Sequence, residues 1–137
     1  MSKKNSSVNL KNGFKNYKDL SNIFQSFKNK LDSLNKKSYT VGVSGGPDSL
    51  ALVALTSAYL HTKKTKFYYV LVDHNIRKNS ANEAKQVKNL LKKNKINLNI
   101  IFNKKKITKN IQGQARNIRY EILSNYCKKN KIKTLLT

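Results

Sequence analysis

The chain has 137 residues, enough for one domain with a modest core. Its 29 lysines and arginines against 6 aspartates and glutamates leave a formal charge of +23, which points to polyanionic partners, nucleic acid before an anionic membrane surface. A single cysteine, Cys127, excludes an internal disulfide and any Cys-x-x-Cys metal or redox centre, and no apolar run reaches membrane-spanning length. The basic N-terminus has no apolar segment behind it, so it does not read as a secretory signal, and a cytoplasmic protein without membrane contact is expected. Lysine and asparagine also accumulate in AT-rich coding sequences, so the exceptions to that bias are informative. Only Arg77, Arg116 and Arg119 are arginine, whose planar fork an ammonium does not replace. Three of the five glycines, Gly42, Gly45 and Gly46, fall together.

In chain order, residues 1–17 are polar and read as a disordered basic tail, with the domain proper over 18–137. Leu20, Ile23, Phe24, Phe27, Leu31 and Leu34 recur at helical spacing and predict a lead helix packed on a sheet. Tyr39 to Val43 is a short apolar run that predicts a buried strand, and a helix is expected from Ser49 to about Leu60. Phe67 to Val72 predicts a second strand, ending at Asp73-His74. Ser80-Ala81-Asn82-Glu83 has the form of a capping box, with Ala84, Val87, Leu90 and Leu91 in the helix it opens. Ile96 to Phe102 predicts a third strand whose face through Asn97 and Asn99 is less buried. Lys104-Lys105-Lys106 reads as a solvated loop. A further helix is expected over Gln112–Lys129 with Ala115, Ile118, Ile122 and Tyr126 inward and Cys127 a buried, reduced thiol, and Lys133 to Thr137 begins a fourth strand.

Strands alternating with helices predict an α/β fold, a Rossmann-like parallel sheet with flanking helices that stops after the fourth strand. In such sheets ligands sit at the carboxyl ends of the strands. Three features converge there: the loop Ser44-Gly45-Gly46-Pro47-Asp48-Ser49, Asp73-His74, and the loop leading to Gln112. A strand that turns through two glycines into a helix N-terminus presents backbone N–H groups and the positive end of the helix dipole, which suits a phosphate or pyrophosphate. Pro47 fits the first helical turn, and Asp48 and Ser49 can serve the turn or help hold Mg²⁺ on bound phosphates. The spacing is neither that of a Walker loop nor that of the dinucleotide fingerprint. Backbone at the end of the second strand can read adenine, and Asp73 or His74 can orient ribose or substrate. Arg116, Arg119 and Tyr120 share one helical turn, on a face expected to lie opposite much of the apolar stripe. Arginines near a helix start oppose its dipole unless an anion compensates.

The six-residue loop resembles the S-G-G-x-D-S motif of the ATP pyrophosphatases (PP-loop enzymes), whose fold is that of the adenine nucleotide alpha hydrolases. Taken with Val72-Asp73-His74, Arg77, the Ser80…Glu83-Ala84 segment and Ala115-Arg116-Asn117-Ile118-Arg119-Tyr120, the chain resembles the tRNA(Ile)-lysidine synthetases. The resemblance runs from about Leu20 to Thr137. It implies ATP and Mg²⁺ as cofactors, isoleucine tRNA and free L-lysine as partners, and leaves a homodimer open. It also implies the reaction: ATP adenylates the C2 carbonyl oxygen of the wobble cytidine, and the lysine ε-amine then displaces AMP. By the same resemblance Ser44, Gly45, Gly46, Pro47, Asp48 and Ser49 hold the pyrophosphate, with Asp48 toward the metal. Asp73 and His74 complete the ATP site, and Asp48, Arg116 and Arg119 carry catalysis. Members of that family continue into a His/Asp-rich segment and tRNA-binding parts. The expectation is therefore an N-terminal fragment that binds ATP weakly on its own. A tRNA-thiolating relative and a non-catalytic basic RNA-binding module on a nucleotide fold are the alternatives.

Overall fold

The computed structural model describes residues 18–137, so the expected N-terminal tail lies outside the described residues. Four helices and four strands alternate: α1 (Lys18–Leu34), β1 (Ser38–Val43), α2 (Pro47–Tyr59), β2 (Lys66–Asp73), α3 (Ser80–Lys93), β3 (Leu98–Phe102), α4 (Ile111–Lys129) and β4 (Leu135–Leu136). The strands form one parallel sheet in the order β3-β2-β1-β4. Its register sets Val41 beside Tyr69 and Val43 beside Leu71.

Side chains alternate between the faces of a strand, so this register builds two unlike surfaces. Val41, Val43, Tyr69, Leu71 and Leu98 pack with Val53 of α2 and Ala84 and Leu91 of α3 into the main core. Tyr39 and Phe67 share that face and stack at 5.4 Å, with Tyr59 edge-on to Phe67 at 6.1 Å. The opposite face receives α4. A Cβ on Gly42 would come within 3.1 Å of both Leu123 Cδ1 and Thr137 Cγ2. Glycine in β1 therefore sets how closely α4 can approach. The expected alternation of β3 is present, with Leu98 buried and Asn97 and Asn99 exposed.

The lead helix differs in part from its expectation. Leu31 is buried against Tyr39 and Tyr59, with Phe24 and Phe27 packed beside them, but Ile23 is 53% exposed and Leu20 37%. The reason is that the aromatic side chains of β1, α2 and β2 already fill the face, so α1 docks by its C-terminal half. Asp32 ties this helix down. It accepts from Tyr59 Oη at 2.7 Å and from Lys28 Nζ at 2.7 Å. The Lys28 and Tyr59 bonds hold its carboxyl below the usual 3.8. A depressed carboxylate contributes stability above its unfolded pKa and loses it as pH falls through the folded one. Asp32→Asn should therefore flatten the acid limb of a melting-temperature profile below about pH 4, where the native chain falls more steeply. Parallel acid limbs in the two proteins would show that the carboxylate does not tie α1 to α2.

The capping box is not formed. Asn79 is the N-cap, no side chain caps the helix, and Ser80 is already its first residue. Glu83 instead accepts from Arg77 Nη2 at 3.0 Å, which draws its carboxylate away from the helix start. Among the described residues no helix is long and apolar enough to cross a membrane.

Candidate functional site

The carboxyl ends of β1 and β2 and the start of α4 enclose a cavity of about 520 Å³. Val43 comes from the end of β1, Ser44 from the glycine loop, Val72 and His74 from the end of β2, and Gln112, Gly113, Arg116, Arg119 and Tyr120 from α4. The structure thus brings together Ser44, His74, Arg116 and Arg119 of the residues expected in the site. Gly45, Gly46, Pro47, Asp48, Ser49 and Asp73 are not part of its wall, although the loop and Asp73 occupy the same sheet edge.

The loop is held by its serines. Ser49 Oγ accepts from the amides of Ser44 and Gly45, each at 3.1 Å, and donates to Gly46 O at 3.1 Å. Gly46 N makes only a 3.4 Å bond to Ser44 Oγ. Two of the amides expected to face an anion therefore serve the turn. The donors left are Gly46 N and the amides of Asp48 and Ser49, which lie in the first helical turn and have no intrahelical acceptor. The Asp48 side chain is exposed.

The two loop glycines do different work. Gly45 has φ +88°, and a Cβ there would stand 2.7 Å from Val87 Cγ2 of α3. Backbone and packing both require glycine at 45. Gly46 has φ −75° and ψ 167°, open to any residue, and a Cβ would meet nothing nearer than Ser44 Oγ at 3.6 Å. Nothing inside the protein demands glycine at 46. The space it keeps clear is the fit expected for a close-lying phosphate.

Asp73 is 4% exposed. Its Oδ1 accepts from Asn75 N at 2.9 Å, while Oδ2 is buried without a partner among the described residues. One oxygen of this buried strand-end carboxylate is thus left without a donor. His74 Nδ1 accepts from Ile76 N at 3.3 Å, which fixes the ring at the cavity wall. Asn103, 5% exposed, joins the ends of β2 and β3. Its Nδ2 donates to His74 O at 3.3 Å and Lys105 O at 2.8 Å, and its Oδ1 accepts from Lys105 N at 2.9 Å. Sequence reasoning missed this residue; the signal was an amide side chain directly after the apolar run of β3.

The arginines are not on one outward face. Leu123 and Cys127 are the buried residues of α4, and Arg119 lies one turn before Leu123 on the same side, half-buried, its Nη2 3.4 Å from where a Gly42 Cβ would be. Arg116 is exposed, with its guanidinium 5.4 Å from the centre of the Tyr120 ring. Neither has a carboxylate partner among the described residues. The Tyr120 hydroxyl lies 3.5 Å from Thr137 Oγ1, a bond that lowers its pKa first, with the fields of Arg116 and then Arg119 adding to it. The start of α4 has no side-chain cap and no acidic residue in its first turn, so its dipole adds to the same positive field. Lys105 is excluded from that field, because it pairs with Glu121 at 2.8 Å.

A glycine turn feeding a helix N-terminus, facing two unpaired arginines across the end of a parallel sheet, defines a nucleotide-phosphate-binding α/β domain. A PP-loop domain profile matches residues 18–137, and the chain belongs to the PP-loop family, which implies ATP as its ligand. It is 38% identical over 98 residues to the tRNA(Ile)-lysidine synthase of Orientia tsutsugamushi (strain Boryong), covering 71% of this chain and 22% of that protein. It is 33% identical over 100 residues to the protein of that name in Rickettsia typhi (strain Wilmington), covering 71% and 23%. The chain thus spans less than a quarter of the length of these relatives. Among solved structures it resembles the U34-tRNA thiolase NcsA from Methanococcus maripaludis with its [4Fe-4S] cluster. The TM-score is 0.65 at 20% identity, over 83% of this chain and 45% of that one, which is a likeness of fold.

Proposed function

We propose that this chain is the ATP-activating part of a tRNA-modifying ligase that joins free lysine to C2 of the wobble cytidine of an isoleucine tRNA. The observation that carries the reading is the pairing, across one cavity, of Ser44 from the S-G-G-P-D-S loop with Arg116, Arg119 and Tyr120 from the A-R-N-I-R-Y helix. The identity to lysidine synthases supports it. In this reading Gly46 and the first amides of α2 take the β- and γ-phosphates. Arg116 and Arg119 lie against the α-phosphate, where charge moves onto the leaving pyrophosphate. Asp73 and His74 orient the nucleoside. Asp48, an exposed carboxylate in the first turn, is the group to hold Mg²⁺, a cation that takes one or two carboxylates together with substrate phosphates and supplies neutralising charge. The cytidine O2 attacks the α-phosphorus and releases pyrophosphate, and the lysine amine then adds at C2 and releases AMP.

A sulfur-transfer reading would call on cysteine chemistry. The one cysteine of this chain, Cys127, is buried where α4 meets the sheet. The deciding experiment is AMP release by the protein expressed from its own gene. It should require ATP, isoleucine tRNA and lysine together, with radiolabelled lysine retained on the tRNA. AMP release that ignores lysine and needs a sulfur donor would replace this reading with thiolation.

A further inference from the structure

A parallel sheet joined by helices sends every helix-to-strand connection to one edge, opposite the ligand edge. Here those connections are lysine loops. Lys36 and Lys37 join α1 to β1, Lys63 and Lys64 join α2 to β2, Lys95 joins α3 to β3, and Lys131 and Lys133 join α4 to β4. All seven are exposed, and a lysine pair also closes each of α3 and α4. Charges scattered along the sequence thus become one band. The four connections contain no carboxylate, and none of their lysines forms an ion pair among the described residues. At the ligand edge two cations are paired, Arg77 with Glu83 and Lys105 with Glu121, while Arg116 and Arg119 face the cavity.

A second observation is conformational. Helices α3 and α4 end in the same five residues, Lys-Lys-Asn-Lys-Ile, at 92–96 and 128–132. They also fold alike. Ile96 N donates to Leu91 O at 3.0 Å and Ile132 N to Cys127 O at 2.9 Å, with Lys95 and Lys131 left-handed at φ 60° and 56°. This cap position favours glycine, and a lysine there is held against its backbone preference. Buried Ile96 and Ile132 anchor the two turns, so both ammonium groups stand on fixed backbone.

The four connections hold no arginine fork and no Phe, Tyr or Trp to stack on a base. Such a surface suits phosphates bound by charge rather than bases read by edge or stacking. We propose that the strand-start edge is a second nucleic-acid surface, which grips the phosphate backbone of a structured RNA away from the nucleotide cavity. The proposal rests on the tRNA-modifying reading only for RNA as the polyanion.

Lys95→Gly with Lys131→Gly provides the test, because it removes two charges while relieving two left-handed lysines. Its melting temperature should not fall, so a binding loss is not a folding loss. With a labelled isoleucine tRNA transcript and no ATP, affinity at 0.1 M salt should drop about five-fold or more. The slope of log affinity against log salt should shrink by about 1.4–1.8. Lys104→Gln with Lys106→Gln, at the ligand edge, should change affinity less than about two-fold. Unchanged RNA affinity in the glycine variant, equal losses in both variants, or tighter binding of phosphatidylserine vesicles than of RNA would overturn the proposal. Failure of lysine-dependent AMP release alongside the expected RNA result would remove the catalytic reading and leave this surface standing.

Discussion

Gly46→Ala is expected to weaken ATP binding at least ten-fold while leaving the melting temperature nearly unchanged, and Gly45→Ala to damage both. At 46 the backbone is extended and the added methyl meets only Ser44 Oγ at 3.6 Å, so the fold accepts it and the phosphate does not. At 45 the residue must sit at φ +88° and its methyl falls 2.7 Å from Val87 Cγ2. The backbone term costs about 1–2 kcal/mol and the overlap about 1–3 kcal/mol. Together these should lower the melting temperature by roughly 10 °C in a domain of this size. Val87→Ala added to Gly45→Ala should restore the packing share and leave the backbone share. Calorimetric titration and thermal melts on the same samples separate the cases. Native ATP affinity in Gly46→Ala would show that no phosphate lies against that residue.

The contrast between two adjacent glycines was not legible in the sequence, where both read as parts of one cradle. The strands β1 and β2 were, because continuous apolar runs suit a sheet buried on both faces. The loop was legible as well, since its residue types have few other uses together. What escaped depended on tertiary geometry. Ser80-Ala81-Asn82-Glu83 satisfies the capping pattern, yet Arg77 competes for Glu83 and the helix begins at Ser80. Arg119 was expected to face outward with Arg116, whereas α4 turns so that Arg119 follows Leu123 and Cys127 toward the sheet. Gly42, whose missing side chain admits Leu123 and Arg119 at close range, makes room for that packing. Ser49 was free to serve turn or metal, and its four bonds within the loop assign it to the turn.

The rotation of α4 sets the last expectation. Arg119 is a half-buried cation with no carboxylate beside it among the described residues, and Arg116 stands one turn earlier over Tyr120. Such a guanidinium is disfavoured in the free protein and favoured once an anion arrives. Function and stability should therefore move apart. Arg116→Gln with Arg119→Gln should weaken ATP or tRNA binding about ten- to a hundred-fold, the scale of one or two charge-assisted hydrogen bonds at about 1.5–3 kcal/mol each. The melting temperature should hold or rise. Lys104→Gln with Lys106→Gln removes the same charge from a solvated loop and should cost less than about two-fold at the same salt. Arg119→Lys keeps the charge without the fork and should recover only part of the loss. Equal losses from the arginine and lysine pairs would mean that the charge acts generically. A fall in melting temperature matching the fall in affinity would mean that Arg119 holds the fold and not the ligand.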